Sequence, residues 1–291
     1  MSDDVWSRDD PRLPGALAAD PDPPQQLYVR GDPSALELRR VAIVGTRNCT
    51  AYGRTFARRL GTELAEAGVA VVSGLAIGID GAAHEGVLDA RGVPIGVVAT
   101  GLDVVYPRRH RSLWDRVARS GLLVSEEPPH TRPTQWGFPR RNRIIAALSE
   151  IVVVVESSAK GGSMHTVDAA LARGINVMAV PGPVGAVTSD GTNRLLVDGV
   201  PPVTCTDDVL LALGLETSRR SFELPAPRRS RLSARARAVL DVLDFVPMPT
   251  DALIEASGFT RGEVLVALQE LAAARQAEGG GGWWHRMPTR R

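Results

Sequence analysis

From residue 41 to residue 213, short and wholly apolar runs alternate with longer segments whose apolar residues recur at helical spacing. The first such pair is Val41–Val44, which is followed by Phe56, Leu60 and Leu64 at intervals of one helical turn. Strands that are apolar on both sides belong to parallel sheets covered on both faces. Regular alternation with helices then gives right-handed crossovers. The chain is therefore predicted to form an α/β fold, a doubly wound, Rossmann-like and mainly parallel sheet.

The order of the predicted strands and helices indicates where a ligand would bind. The predicted strands are Val41–Val44, Val69–Val72, Val93–Ala99, Leu122–Ser125, Ile151–Val155, Asn176–Val180 and Pro202–Cys205. The predicted helices are Gly53–Ala67, Gly78–Ala90, His110–Arg119, Arg141–Leu148, Met164–Ala172 and Asp207–Leu213. Ligands of such sheets bind outside the carboxyl ends of the strands, near the switch in strand order. The loops that follow the strands are therefore the candidate site.

The composition of the chain predicts four successive parts. Residues 1–40 are a Pro- and Asp-rich lead-in segment that wraps the first domain and holds a strand-like piece at Leu27–Val29. Residues 41–215 form the core, and the Pro- and Arg-rich residues 216–231 form a linker. Residues 232–291 contain helical patterns at Ala234–Leu243, after an N-cap at Thr250, and after a capping box formed by Thr260 and Glu263. Together with a terminal hairpin, these patterns predict a small C-terminal winged-helix domain.

Charge and cysteine content exclude several classes of protein. The net charge is only +1, so binding to nucleic acid must depend on local basic patches. The two cysteines, Cys49 and Cys205, are too far apart for a zinc motif and too few for a disulfide framework. The first ten residues resemble no signal peptide, and no apolar run is long enough to span a membrane. We expect a soluble cytoplasmic protein that holds no metal and no cofactor.

The predicted loops carry residue types that suit a phosphate chain. Arginines supply fixed positive charge, while glycine turns before helices expose backbone N–H groups to an anion. The candidate DNA-contacting residues are Gly45, Thr46, Arg47, Gly74, Arg108, Arg109, Arg140, Asn142, Arg143, Gly161, Gly162, Ser163 and Met164. Each group also has an explanation that involves no ligand. Arg47 would be an ordinary surface arginine, the arginines at 108 and 109 would be a solvated run of charge, and Ser163 would only cap a helix.

Two other charged groups favour a structural role. Asp80 and His84 lie four residues apart on a predicted helix, which suits a catalytic or metal-binding pair but more often an ion pair that holds a loop. Glu126 and Glu127 end a strand at the ligand edge, where carboxylates would repel phosphate. We expect these two glutamates to brace arginines.

Seven sequence blocks carry a resemblance to the DNA-processing protein A (DprA) family. They are LYVRGD (Leu27–Asp32), VAIVGTR (Val41–Arg47), VVSGLAIGIDGAAH (Val71–His84), TGLDVVYP (Thr100–Pro107), FPRRNRIIAALS (Phe138–Ser149), GGSMHT (Gly161–Thr166) and AVPGPV (Ala179–Val184). Their order and spacing resemble the family over residues 20–214, and residues 232–291 resemble the winged helix that many members carry. In many members Ser-Gly-Ser stands where this chain has Gly161-Gly162-Ser163.

The resemblance implies a homodimer that binds single-stranded DNA in a basic pocket and delivers it to RecA during natural transformation. It also implies that Arg47 and Arg108 contact DNA and that the turn at Gly161–Ser163 cradles phosphate. On this reading the protein is not an enzyme.

Two alternatives remain at the level of sequence. A LOG-type nucleotide phosphoribohydrolase requires a GGxGTxxE motif, but Met164 replaces the third glycine and no glutamate follows. A transcription factor would read duplex DNA through residues 261–278, where Arg261 and Arg275 stand against Glu263, Glu270 and Glu278. A helix with more acidic than basic residues is poorly suited to bind in the major groove of DNA.

Overall fold

The computed structural model describes residues 3–215, 232–244, 246–274 and 276–287. The chain divides into two compact units, Met1–Ser218 and Arg219–Arg291. The predicted linker, residues 216–231, lies outside the described residues, as do residues 288–291 of the predicted winged helix.

The first unit contains strands and helices in alternation. Its strands are β1 (Asp4–Ser7), β2 (Gln26–Gly31), β3 (Arg40–Val44), β4 (Ala70–Ser73), β5 (Pro94–Val98), β6 (Leu122–Ser125), β7 (Ile151–Val154) and β8 (Asn176–Ala179). Its helices are α1 (Gly15–Ala18), α2 (Ala51–Glu66), α3 (Ile79–Asp89), α4 (Arg111–Ser120), α5 (Gly137–Ala147), α6 (Met164–Leu171), α7 (Asp190–Val197) and α8 (Thr206–Ala212).

Within the described residues, the strands of this unit form one sheet in the order β1-β2-β6-β5-β4-β3-β7-β8. All neighbours from β6 to β8 are parallel, and only β1 and β2 are antiparallel. The α/β, mainly parallel fold class is confirmed. The lead-in segment adds β1 and β2 to the edge of the sheet beside β6.

Alternate residues of each central strand enter opposite hydrophobic layers. In β3, Val41 and Ile43 pack with the apolar faces of α2 and α3, whereas Ala42 and Val44 pack on the side of α5 and α6. Each fully buried aliphatic side chain of this kind contributes about 1.5–3 kcal/mol to folding. Trp6 of β1 is fully buried in the second layer, so the lead-in is part of the core.

The second unit is the predicted winged helix. It consists of α9 (Ala234–Val242), β9 (Met248–Pro249), α10 (Thr250–Ser257), α11 (Arg261–Ala273), β10 (Ala277–Gly280) and β11 (Trp283–Arg286). The described strands pair in the order β10-β11-β9. Both hydrogen bonds of the predicted capping box between Thr260 and Glu263 are present at the start of α11.

Several sequence predictions are wrong in detail. Pro202–Cys205 is not a strand, because it makes only an isolated bridge from Pro202 to Ala179. α5 begins at Gly137 rather than near Arg141, since Pro139 is tolerated in a first helical turn. Thr250 is the first residue of α10, and Pro249 occupies the N-cap. Helix α7 was not predicted.

The described residues include no helix with the length and hydropathy of a membrane span. Among the same residues, no group of His, Cys, Asp and Glu side chains is arranged to hold a metal ion.

Candidate functional site

A cleft of about 600 Å³ opens at the carboxyl edge of the sheet, where the strand order reverses. Strand β3 lies between β4 and β7, so the loops that leave β3 and β7 diverge and create a crevice. Of the predicted residues, those that line this cleft are Gly45, Thr46, Arg47, Asn142, Gly161, Gly162 and Ser163. Gly74 lines a smaller pocket that shares Arg47 with it.

The loop after β3 is fixed by Glu156, which closely follows β7. The Thr46 N–H donates to the Glu156 carbonyl oxygen at 2.7 Å, and the Thr50 N–H donates to its carboxylate at 2.8 Å. Glu156 is only 2% exposed. A side chain at Gly45 would lie 2.6 Å from Ile79, so only glycine allows this close approach. Sequence reasoning missed Glu156, although its signal is a lone carboxylate at the end of an apolar strand.

Arg47 is held at the mouth of the cleft by an aromatic ring rather than by an acid. Its guanidinium lies 4.6 Å from the centre of the Phe138 ring, and the Tyr106 ring lies 5.5 Å from that of Phe138. Arg47 is exposed and forms no ion pair within the described residues. Its charge is therefore available to a ligand.

The opposite wall of the cleft is the turn before α6. The Asn142 side-chain amide donates to the Gly162 carbonyl at 3.2 Å. The Ser163 hydroxyl donates to that of Ser157 at 2.8 Å. In the part of the chain that the structure describes, the N–H groups of Gly162 and Ser163 donate to no protein acceptor. They lie at the positive end of α6, where an anion is stabilised.

Met164 does not contribute to that wall. Its side chain is partly buried and packs against the hydrophobic layer that contains Val167 and Ala170. The first residue of this amphipathic helix therefore lies on the core side, and the prediction that Met164 contacts the ligand gains no support from the lining of the cleft.

Arg140 and Arg143 are engaged by acidic side chains and do not line the cleft. Arg140 lies 3.0 Å from Glu126 and 3.8 Å from Glu127. Arg143 lies 2.6 Å from Glu126 and 2.8 Å from Asp22 of the lead-in. The prediction that Glu126 and Glu127 brace arginines is confirmed. The same carboxylates offset the charge of Arg140 and Arg143, whose contact with DNA stays a prediction.

Arg108 and Arg109 lie beside the cleft rather than in it. They occupy a short 3-10 turn, Arg108–His110, two residues after Tyr106, which lines the cleft. Both side chains are exposed, and neither forms an ion pair among the described residues. They can extend a basic surface outward from the mouth.

Arg141 and Asp80 form the floor of the cleft, and neither was among the contact residues predicted from the sequence. The two residues are 7% and 6% exposed. Burial lowers the pKa of Arg141 to about 10, and it raises the pKa of Asp80, although Arg141 opposes that rise. Both contact Gly74: Arg141 donates to its carbonyl at 2.9 Å, and Asp80 accepts from its N–H at 3.1 Å.

His84 is not the partner of Asp80. Its Nε2 lies 3.3 Å from the Ile95 carbonyl oxygen, and burial lowers the pKa of its imidazole to about 4. The expected ion pair between Asp80 and His84 is therefore wrong. Asp80 still holds a loop, but it does so through the backbone of Gly74.

Comparison with known proteins gives two family matches. Residues 4–214 match the family described as DNA recombination-mediator protein A, and residues 223–277 match the DprA winged helix domain. The chain is 43% identical over 189 residues to DNA processing protein DprA of Bacillus subtilis, an alignment that covers 65% of this chain. It spans only 64% of the length of that relative.

Two solved structures are similar at the level of fold and sequence. DprA from Streptococcus pneumoniae matches with a TM-score of 0.69 and 36% identity, over 75% of this chain and 76% of that one. DNA processing protein A from Helicobacter pylori matches with a TM-score of 0.67 and 31% identity, over 73% of this chain and 96% of that one. The latter structure is described as giving insight into a unique single-stranded DNA binding mode of that protein.

Proposed function

The chain belongs to the DNA recombination-mediator protein A family, and from this premise we propose that it binds single-stranded DNA non-catalytically in the cleft between β3 and β7. The observation that carries the proposal is that one cleft is lined by exposed Arg47 and by the N–H groups of Gly162 and Ser163, all three without an acidic or acceptor partner among the described residues. Such a pairing of fixed charge and aligned backbone dipoles suits a phosphate. The binding mode described for the Helicobacter pylori protein supports the choice of ligand.

The shape of the cleft favours a single strand over a duplex. A crevice of about 600 Å³ accommodates a few nucleotides but not a double helix. Tyr106 and Phe138 offer aromatic surface at its mouth, and unpaired bases stack on such rings with little preference for sequence. We expect Arg108 and Arg109 to contact the strand outside the cleft, because they are exposed and close to Tyr106.

The central test is the affinity for a labelled oligothymidine, measured by fluorescence anisotropy over a range of salt concentrations. Arg47→Ala should weaken binding and flatten the slope of log K against log salt by about 0.7, the value for one phosphate on a single strand. Arg119→Ala is the matched control, since Arg119 is exposed at the end of α4, where the chain enters β6 at the opposite edge of the sheet. A wild-type protein that binds no oligothymidine would refute the function.

We also propose that the protein acts in the cytoplasm as a homodimer and passes the strand to RecA. Helices α6 and α7 pack on the same face of the sheet and expose Leu171 and Val197, which suits a contact between subunits. Light scattering after gel filtration should give a mass of two chains for the wild-type protein and of one chain for Val197→Asp.

Purified RecA should co-elute with the wild-type protein on gel filtration, and a failure to do so would remove RecA as a direct partner.

A further inference from the structure

The turn between β4 and α3 places a bulky residue, Leu75, in a backbone conformation that such residues rarely adopt. Leu75 is fully buried and has φ of 55°, in the left-handed region that bulky residues avoid. Gly78 has φ of 88°, and a side chain there would lie 2.4 Å from the Thr46 carbonyl oxygen. Strained turns of this kind persist only where surrounding groups hold them.

Three side chains from three different elements hold this turn. Asp80 of α3 accepts from the Gly74 N–H at 3.1 Å, and Arg141 of α5 donates to the Gly74 carbonyl at 2.9 Å. His110, in the turn before α4, has its Nδ1 3.0 Å from the Leu75 carbonyl oxygen. Arg141 also donates to the Val97 carbonyl at the end of β5. Together Asp80, Arg141 and His110 form what we call the turn clamp.

The turn held by the clamp also supports the loop that carries Arg47. The Ile79 N–H donates to the Thr46 carbonyl at 3.3 Å. The carbonyl groups of Thr46 and Arg47 fill the space that a side chain at Gly78 would need, so the two loops are in direct backbone contact. Displacement of the turn would therefore move the backbone of Arg47.

We propose that Arg141 and Asp80 are positioning residues for single-stranded DNA binding, which fix the β4–α3 turn and through it the Arg47 loop without contacting the strand themselves. The inference rests on the proposed function. Arg141 directs its Nη1 to the Gly74 and Val97 carbonyls and faces the opposite charge of Asp80, so the two side chains together add no net charge to the cleft. The Arg47 loop, by contrast, presents an exposed guanidinium.

The competing role for Arg141 is direct contact with a phosphate, because its side chain lines the cleft and its Nε has no partner among the described residues. Two substitutions separate the roles. A lysine keeps the charge but cannot bridge two carbonyls as a planar guanidinium does. A methionine removes the charge, after which buried Asp80 takes up a proton and the net charge of the floor stays the same.

For a positioning role, Arg141→Lys and Arg141→Met should weaken oligothymidine binding alike, by about tenfold, the effect of one lost hydrogen bond to a charged group. Both should change the salt slope to the same extent, and by no more than Arg47→Ala does, because both act through the Arg47 loop. Affinities are compared at a temperature where circular dichroism shows every variant fully folded, with Arg119→Lys as the control. Direct phosphate contact predicts the reverse: lysine restores affinity, and methionine flattens the slope by about 0.7. That result would overturn the proposal.

Hydrogen exchange tests the clamp without DNA, so its outcome does not depend on the proposed function. In Arg141→Lys, the amides of Gly74 and Ile79 should exchange faster than in the wild type and in Arg119→Lys. Unchanged exchange across residues 73–80 would show that Arg141 does not hold the turn. If exchange rises but no variant or wild type binds oligothymidine, the clamp stands and the proposed ligand is wrong.

Gly74→Ala is a second way to disturb the contact between Arg141 and the β4–α3 turn. The added methyl group would lie 2.4 Å from the Arg141 guanidinium, so it displaces that side chain without altering any charge. Gly74→Ala should weaken binding by about as much as Arg141→Lys, and the double variant should cost no more than the worse single one, since both break the same contact. Additive losses would contradict the proposal, and this comparison remains available if Arg141→Met fails to fold.

Discussion

At the scale of single residues, the acidic side chains around an arginine decide whether its charge is available to bind a phosphate. Arg47 rests on the Phe138 ring, which holds the side chain without neutralising it. Arg140 and Arg143 lie only a few positions away from Phe138 in sequence, but carboxylates already bind them. Local arginine density therefore overstates the free charge of the α5 segment.

Gly162→Ala tests the backbone cradle directly. A methyl group at Gly162 meets no protein atom within 4 Å, so the thermal stability should be unchanged. The methyl would occupy the space where a phosphate meets the N–H groups, so oligothymidine affinity should fall by about tenfold, again the size of a lost charged hydrogen bond. Gly15→Ala is the control, because that position is equally open and lies in the lead-in. Equal affinity for both variants would exclude the cradle.

His84 predicts a specific dependence of stability on pH. Burial lowers the pKa of its imidazole to about 4 from an ordinary 6.5, so below pH 6.5 the unfolded chain binds a proton that the folded chain does not. Stability should therefore be lost as pH falls from 6.5 towards 4, by about 2 kcal/mol at pH 5. Above pH 7 this contribution is constant.

Urea unfolding of the wild type and His84→Gln at pH 7.5 and pH 5 measures that contribution. The difference in unfolding free energy between the two proteins should shrink at the lower pH, since glutamine does not titrate. The raised pKa of Asp80 acts in the opposite direction but is common to both proteins. A constant difference across the two pH values would show that His84 is not the group responsible.

The sequence predicted the residues that local pattern reveals and missed those that depend on distant partners. Arg47 and Gly162 were recognisable because each follows an apolar strand in a loop before a helix. The ion pair between Arg143 and Asp22 was not recognisable, because only the fold brings the lead-in segment to α5. Arg141 was overlooked for the same reason: its partners are backbone carbonyls of β5 and of the turn after β4.

At the scale of elements, burial on both faces made the parallel strands predictable. The bounds of β3 to β8 agree with the predicted strands to within one residue at each end. Helix α7 was missed because Asp190–Val197 begins with five polar or small residues and has apolar residues only at its end. Strand β1 was missed because it is a four-residue edge strand with only Trp6 buried.

Thr260→Ala tests the capping box of α11. The Thr260 hydroxyl lies 2.8 Å from the Glu263 carboxylate, which also accepts from the Thr260 N–H. Loss of such an N-cap costs about 1 kcal/mol. Amides of α11 should therefore exchange faster, whereas oligothymidine affinity should be unchanged, because the cleft belongs to the other unit. Serine at position 260 is the control, since it keeps the hydroxyl, and equal exchange in both variants would contradict the role.

At the scale of the whole molecule, sheet topology explains why the site lies where it does. Parallel strands direct their following loops to one edge, and the reversal beside β3 separates the β3 and β7 loops into two walls. The floor comes from α3 and α5, which approach from opposite faces of the sheet. Every residue that lines the candidate cleft therefore belongs to the unit that ends at Ser218.

Among the described residues of the winged-helix unit, helix α11 offers a poor surface to nucleic acid. In α11, Glu263 and Glu270 serve as acceptors for Thr260 and Ser233, and the helix exposes Leu265 and Val266. A chain that ends at Ser218 should therefore keep its affinity for oligothymidine to within about twofold, since phosphate contacts supply most non-specific affinity. Competition between single-stranded and duplex oligonucleotides, run for the full chain and the shortened one, measures this. A preference for duplex that disappears with residues 219–291 would instead assign DNA recognition to the winged helix.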